Sequence, residues 1–297
     1  MSPAMRLHYQ YCHHIHVFKN FTERTIRSKR DTFRMFLRRT GIKELHEITL
    51  PAVKSYIIDA KIKRKWSPKT IRNVIYDLKT FLDWCVSEDL LVENPIEKLE
   101  KPKVPKRLPQ SLSKEEALRL LEWAEIANFT YRFERSRALA ILGIFIFTGV
   151  RRQELLNLKC SQVDLEHKSL FVECGKGQKD RLIPLNFQLI RILKRYKKDR
   201  KLFDKTTPYF FASLRDNQAM GAKAIQRLFK KLQNELDIRV HPHLLRHTFA
   251  TLMLEGGTDI YTLSQFMGHS EITTTALYLS TSLKHRRKQM DMHPLIY

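Results

Sequence analysis

Four residues near the C-terminal end of this chain combine side chains suited to phosphoryl chemistry. His243 and Arg246 stand three apart in HPHLLRHTFATLML, so on a helix they share a face. Pro242 suits the first turn of that helix, where its missing N–H costs nothing. Leu245, Phe249, Leu252 and Met253 fall on another stripe, expected to face the core. His269 follows Gly268 in a loop after a short amphipathic helix (Ile260, Leu263, Phe266, Met267), and Tyr278 comes nine residues later between two leucines. The set offers two imidazoles, a fixed cation and a phenol, with no acidic cage for a metal. Taken singly, a histidine on a helix or a tyrosine between leucines reads as structural. The combination carries the reading.

The stretches HPHLLRHTFAT, FMGHS and TTALY resemble the C-terminal signature of the tyrosine recombinases, the phage-integrase and Xer family. Upstream, Gly149 breaks the apolar run ALAILGIFIF and a new helix is expected with Arg151 in its first turn, beside amides that attract anions. TGVRRQELL there is similar to the family's first arginine box. It gives Arg151 the catalytic role, Glu154 a supporting one, and leaves Arg152 as a structural neighbour. Residues 169–173 and 181–185 read as two strands around GKGQKD, a hairpin with Lys176 at its tip. Alone that tip is a generic basic turn; after TGVRR, GKGQKDRLIPL resembles the hairpin that carries the family's catalytic lysine. Asp164-Leu165-Glu166 reads as a solvated turn ahead of the hairpin.

The resemblance runs from about Ser111 to the C-terminus. It implies a mainly α fold with a small antiparallel β-sheet in the catalytic domain, joined to a helical, SAM-like core-binding domain as a clamp on duplex DNA. It implies that Tyr278 attacks a backbone phosphate to give a 3′-phosphotyrosine, with Arg151 and Arg246 on the non-bridging oxygens. Lys176 would protonate the leaving 5′-oxygen, His243 would accept or relay the tyrosine proton, and His269 would donate to a phosphate oxygen. No metal and no cofactor are implied. Recombination implies a homo-tetramer on two duplexes passing through a Holliday junction, with the basic tail LKHRRKQMDMHPLIY exchanged between protomers. A partner recombinase or accessory protein is possible in such a system. A type IB topoisomerase and a non-catalytic DNA-binding relative are the alternatives.

The elements that must position these residues begin with an N-terminal helical half. A helix is expected over 21–39 with Thr22 as N-cap and Ile26, Phe33, Phe36 and Leu37 inward, closed by Gly41. A short helix starts at Pro51. Ser67-Pro68 opens a longer one with Ile71, Val74, Ile75, Leu78, Phe81, Leu82 and Trp84 at helical spacing. Lys61, Lys63, Arg64 and Lys65 precede that helix, and Lys69 and Arg72 lie in its first turn. Cations are unfavourable at a helix N-terminus, so this run is expected to meet phosphate. The Pro- and Lys-rich segment 101–109 has linker composition, placing the boundary between domains 1–106 and 107–297. In the second half, Ser113 caps a helix, and another is expected over 224–236.

Composition sets the frame. The 297 residues carry a formal net charge of +23, with 43% hydrophobic and 29% charged residues. Residues 1–110 hold 23 Lys+Arg against 12 Asp+Glu, and residues 111–297 hold 31 against 19, so both halves are basic. Two basic domains fit a long polyanion, with double-stranded DNA the obvious one. The basic residues do not gather on one amphipathic helix, and the longest apolar run is too short to span a bilayer, so no membrane role is expected. Without a signal-peptide pattern the default is cytoplasmic, on the nucleoid. The four cysteines have no paired spacing, which points to free thiols. Cys12, His13, His14 and His16 cluster but match no standard zinc spacing.

Overall fold

The structure, a computed structural model, describes residues 1–105, 109–173, 180–269 and 271–279. The chain divides into two compact units, Met1–Lys106 and Arg107–Tyr297.

The first unit packs helices α1 (Pro3–Val17), α2 (Glu23–Thr40), α3 (Leu50–Ile62) and α4 (Pro68–Ser87). Each opens on a hydroxyl N-cap: Ser2, Thr22, Thr49 and Ser67 accept from the backbone N–H three residues on. α2 ends where Gly41 turns left-handed. The expected apolar stripe of α4 is the centre of this unit; Leu78, Phe81, Leu82 and Cys85 are buried against Phe33 and Phe36. Trp84 is only half-buried.

Helix α1 is an addition to the sequence-based expectations. His8 and Cys12, polar by type, are buried in it, with Sγ 3.6 Å from Nδ1. The His8 ring stacks on Phe33 at 4.2 Å between centroids. Burial, then the Lys29 and Arg30 charges, push its pKa down to about 3, so it packs as a neutral aromatic. Residues of the Cys12–His16 cluster are taken up by separate contacts: Cys12 lies against His8, His16 Nδ1 meets the Phe21 carbonyl at 2.8 Å and His14 packs near Phe18 and Trp84. Among the described residues no three His, Cys, Asp or Glu side chains form a metal-binding group.

The second unit begins with α5 (Lys114–Ile126), where Ser113 and Glu116 form a capping box. α6 (Arg132–Thr148) is the buried run foreseen in the sequence, packed by α5 and by α8 (Phe187–Leu202) and α10 (Pro242–Glu255). Between α6 and α8 come α7 (Arg152–Asn157) and strands β1 (Val163–Asp164), β2 (Ser169–Val172) and β3 (Arg181–Pro184). They form one antiparallel sheet in the order β1-β2-β3, with Val172 opposite Arg181 and Leu170 opposite Ile183. The two hairpin strands are thus in register; Lys176, expected at their tip, lies outside the described residues. β1 corrects the reading of Asp164, which is in a strand rather than a turn. Its carboxylate accepts from the N–H groups of Glu166 and His167 and so shapes the turn that follows. α9 (Ala222–Leu236), α10, α11 (Ile260–Met267) and α12 (Ile272–Leu279) complete the unit. No helix among the described residues is long and apolar enough to cross a membrane.

The stripe expected on α10 is rotated slightly. Leu245 and Phe249 are buried as foreseen, but Leu254 takes the last core position, with Leu252 and Met253 half-buried. Phe249 closes against Gly149, which caps α6 at φ +61°. A Cβ on Gly149 would stand 2.3 Å from Phe249 Cδ1. Gly149→Ala is therefore expected to combine left-handed strain with overpacking and to destabilise by about 1–3 kcal/mol, seen as a lower midpoint in chemical denaturation. An unchanged midpoint would contradict this contact.

Candidate active site

The site is built at the N-terminal end of α10, where α7, β3 and the α11–α12 loop converge. Arg151 is the N-cap residue of α7, and Glu154 sits at its third position. Glu154 Oε2 accepts from the Arg151 backbone N–H at 2.7 Å, which is half of a capping box. Arginine has no acceptor with which to complete it. Glu154 Oε1 instead takes Arg151 Nη1 at 2.8 Å, and the carboxylate also accepts Arg181 Nη1 at 3.1 Å and Nη2 at 2.8 Å. Four hydrogen bonds saturate it, so it is neither a base nor a metal ligand but a brace between two cations. Burial alone would raise its pKa; the hydrogen bonds and charge of Arg181, then those of Arg151, outweigh that and hold it at about 2.

Arg181 is a residue that sequence reasoning missed. It faces the buried side of β3 with Ile183, and its Nε donates to the Phe266 carbonyl at 2.7 Å. Gly268 closes over it at φ +61°, where a Cβ would come within 2.9 Å of Arg181 Nη1. The end of α11 therefore lies against the guanidinium, and His269 leaves from that point. Arg181 joins hairpin, α7 and α11 in one contact.

Arg246, on α10, is 5% exposed. Its charge is met by backbone: Nη1 donates to Gly149 O at 2.7 Å and Nη2 to Met267 O at 2.6 Å. Burial and the neighbouring Arg151 charge lower its pKa to about 10, which leaves it a cation at neutral pH. Nη2 also lies 2.9 Å from His269 Nε2. A guanidinium only donates, so Nε2 is the acceptor and the ring proton is on Nδ1, which meets Thr275 Oγ1 at 2.8 Å. Burial, then Arg246, Arg151 and Arg181, push His269 to about 4 and keep it neutral. The donation to phosphate expected of His269 thus requires its Nε2 to leave Arg246 and gain a proton, or its Nδ1 to leave Thr275.

Tyr278, on α12, is 4% exposed and packs with Phe249, Leu254, Leu263 and Met267. Burial raises its pKa, opposed by Arg246 and Arg151. Its hydroxyl lies 2.7 Å from His247 Nδ1. His247 is the second residue missed: it follows His243 by four, one turn along the same face of α10. His243 itself is exposed, with its pKa lowered by burial, then by His241, Arg246, Arg152 and Arg151. The structure therefore brings Arg151, Glu154, Arg246, His269 and Tyr278 together. The imidazole that meets the Tyr278 hydroxyl is that of His247.

In the first unit, Lys61, Lys65, Lys69 and Arg72 are exposed as a phosphate-binding face would require. Lys63 pairs with Asp59 at 2.8 Å but stays largely exposed. Arg64 differs: it is half-buried, paired with Asp59 at 2.5 Å and lying over Tyr56 and Trp66. Its first job is to pin the end of α3.

A phenol, imidazoles and two guanidiniums on a helical domain with a small sheet define a centre for transferring a phosphoryl group to tyrosine. Comparison with known proteins agrees. The model of the phage integrase family matches residues 110–285. Tyrosine recombinase XerA of Pyrococcus horikoshii is 35% identical over 240 residues, 80% of this chain and 78% of that protein. Tyrosine recombinase XerC of Bacillus pumilus is 29% identical over 310 residues, covering 99% of this chain and 98% of the relative. The crystal structure of the XerH site-specific recombinase bound to palindromic difH substrate, a post-cleavage complex, matches the fold with a TM-score of 0.74 at 20% identity, over 96% of this chain and 83% of that one. The chain belongs to the phage integrase family and is an Xer-like tyrosine recombinase, a site-specific recombinase by class.

Removing the brace is expected to leave the buried Arg181 and the half-buried Arg151 uncompensated. Glu154→Gln should cost about 3 kcal/mol or more near neutral pH. The folded-state pKa of Glu154 lies below its unfolded value, so the contribution is complete above about pH 4.5 and fades as pH falls toward 2. Denaturation of wild type and variant at pH 7 and pH 3 checks this: the gap should narrow at the lower pH. A constant gap would assign the loss to packing instead.

Proposed function

We propose that this recombinase cleaves one DNA strand at a time by attack of Tyr278 on a backbone phosphate. A 3′-phosphotyrosine and a free 5′-hydroxyl result, and the same step run backwards on a partner strand rejoins the DNA. The supporting observation is the convergence of the Tyr278 hydroxyl, Arg246 and Arg151 at one end of α10.

Each role follows from side-chain chemistry. Arg151 keeps donors beyond those used on Glu154 and Gly268 and is a quarter exposed, so it can meet a non-bridging oxygen. Arg246, held rigid by two carbonyls, supplies the second charge as phosphorus becomes five-coordinate. His243, exposed near the start of α10, and His269, at the loop once it leaves Arg246 or Thr275, are read as touching the phosphate when DNA binds. Lys176 is assigned to the leaving 5′-oxygen on the resemblance of its segment alone. The guanidiniums and the lysine supply the positive charge that metal ions supply elsewhere.

Unit 1–106 is read as the helical core-binding domain, with Lys61, Lys63, Lys65, Lys69 and Arg72 on the DNA backbone. The related XerH, solved on its difH substrate, supports duplex recombination sites as the partner. A homo-tetramer joining two duplexes through a Holliday junction, in the cytoplasm on the nucleoid, completes the reading; a partner recombinase or accessory protein is a variation of it.

The test is covalent trapping on nicked suicide duplexes drawn from a randomised library. Wild type should give an SDS-resistant adduct at Tyr278 and enrich its own site, and Tyr278→Phe should bind the enriched duplex without any adduct. Arg246→Ala should slow adduct formation by about 100- to 1000-fold. An adduct from Tyr278→Phe would sink the assignment.

A further inference from the structure

We propose that His247 takes the proton from Tyr278 as the tyrosine oxygen attacks phosphorus, which makes it a catalytic residue alongside the six named above. This rests on Tyr278 being the nucleophile.

Geometry carries the inference. Nδ1 of His247 stands 2.7 Å from the Tyr278 hydroxyl, with the rings tilted by 49° at 5.4 Å between centroids. Tyr278 is 4% exposed, so bulk water has little access to its proton. His243, the histidine assigned by resemblance, lies one turn toward the start of α10 and is exposed to solvent. His247 meets the hydroxyl directly.

The charges around His247 suit the task. From α10 itself it is faced by Arg246, His243 and His241, from the α11–α12 loop by His269, and from α12 by the Tyr278 phenol. α6 and α11 also pack against α10, and the charges that shift the ring come from α10 itself. Burial, then His243 and Arg246, hold the ring below its ordinary pKa, so it is a neutral acceptor at pH 7. With the phenol donating to Nδ1, the ring proton stays on Nε2.

The step balances without another reactant. The Tyr278 oxygen–phosphorus bond forms while the phosphorus–O5′ bond breaks, and its electron pair goes to O5′. O5′ takes a proton from the group assigned to it, Lys176, and the tyrosine proton moves to His247 Nδ1. The resulting imidazolium stands among Arg246, His243 and His241, where a second cation is disfavoured. It therefore returns the proton readily when a 5′-hydroxyl attacks the phosphotyrosine. Cleavage and rejoining use one acceptor in opposite directions.

The test is single-turnover adduct formation on the duplex enriched by wild type, carrying a bridging sulfur at the scissile 5′ position so that the leaving group needs no proton. Three variants are compared with wild type: His247→Ala, His247→Asn and Tyr278→Phe. Asn keeps a hydrogen-bonding atom near the Nδ1 position but accepts no proton. Both His247 variants should bind the duplex as wild type does and form adduct at least about 100-fold more slowly at pH 7. Their rates should climb tenfold per pH unit toward the tyrosine pKa, while the wild-type rate is flat from pH 7 to 8. Rescue by His247→Asn would reduce His247 to a positioning residue and overturn the proposal, as would a pH-independent rate in His247→Ala. Absence of adduct from wild type, or an adduct mapped to another residue, would overturn the Tyr278 reading on which the proposal rests.

Discussion

Arg151 and Arg181 lie close enough to Arg246 to lower its pKa, and two unit charges about 4 Å apart in partly buried surroundings interact by about 4 kcal/mol. A pocket prepared for a phosphate must hold such charges together before the phosphate arrives. Glu154 does this with one carboxylate whose four acceptor positions are all taken by Arg151 and Arg181. The backbone carbonyls of Gly149 and Met267 do the same for Arg246 with dipoles instead of charge. The difference has a consequence. Arg151 is neutralised at one edge and keeps donors for substrate, whereas Arg246 is fixed by weaker partners and keeps its full charge.

The fold is arranged to bring those partners to one place. The left-handed caps at Gly149 and Gly268 end two helices so that their last carbonyls turn toward arginines. Arg181 reaches the second cap from the sheet through the Phe266 carbonyl. The tyrosine helix is tied on last, by His269 to Thr275 and by His247 to Tyr278. Tyr278 is thus buried in apolar contacts and its hydroxyl is held by a neutral imidazole. Neutrality matters here: a charged His247 could not accept a proton, and burial among cations prevents that charge.

Much of this was legible in the sequence because the chemistry sits in short boxes. TGVRRQELL, HPHLLRHTFAT and FMGHS each hold their residues within one turn or loop, so type and spacing singled out His243, Arg246 and His269, and the resemblance of TGVRRQELL singled out Arg151 and Glu154. What was missed depends on contacts between distant segments. Arg181 read as the first residue of the second hairpin strand and had no role; its parity with Ile183 on β3, which places it on the inner face, was the available signal. His247 had one too, four residues after His243 on the same helical face. Nothing local shows that it meets Tyr278 across 31 residues of chain. In the first unit α1 escaped notice because its His8, polar by type, is buried as an apolar group would be. Arg64 was grouped with free cations because its pairing with Asp59 and its place over Trp66 depend on the turn after α3.

The central claim is that Glu154 and Arg181 act as one unit that sets Arg151, the arginine proposed to meet the phosphate. A double-mutant cycle on the single-turnover cleavage rate tests it most directly, using Glu154→Gln, Arg181→Met and the double variant at pH 7. If the two groups form one brace, each single change slows cleavage and the double variant is no slower than the worse single. Rate losses that simply add would contradict the account, because they would mean that the two residues support catalysis independently.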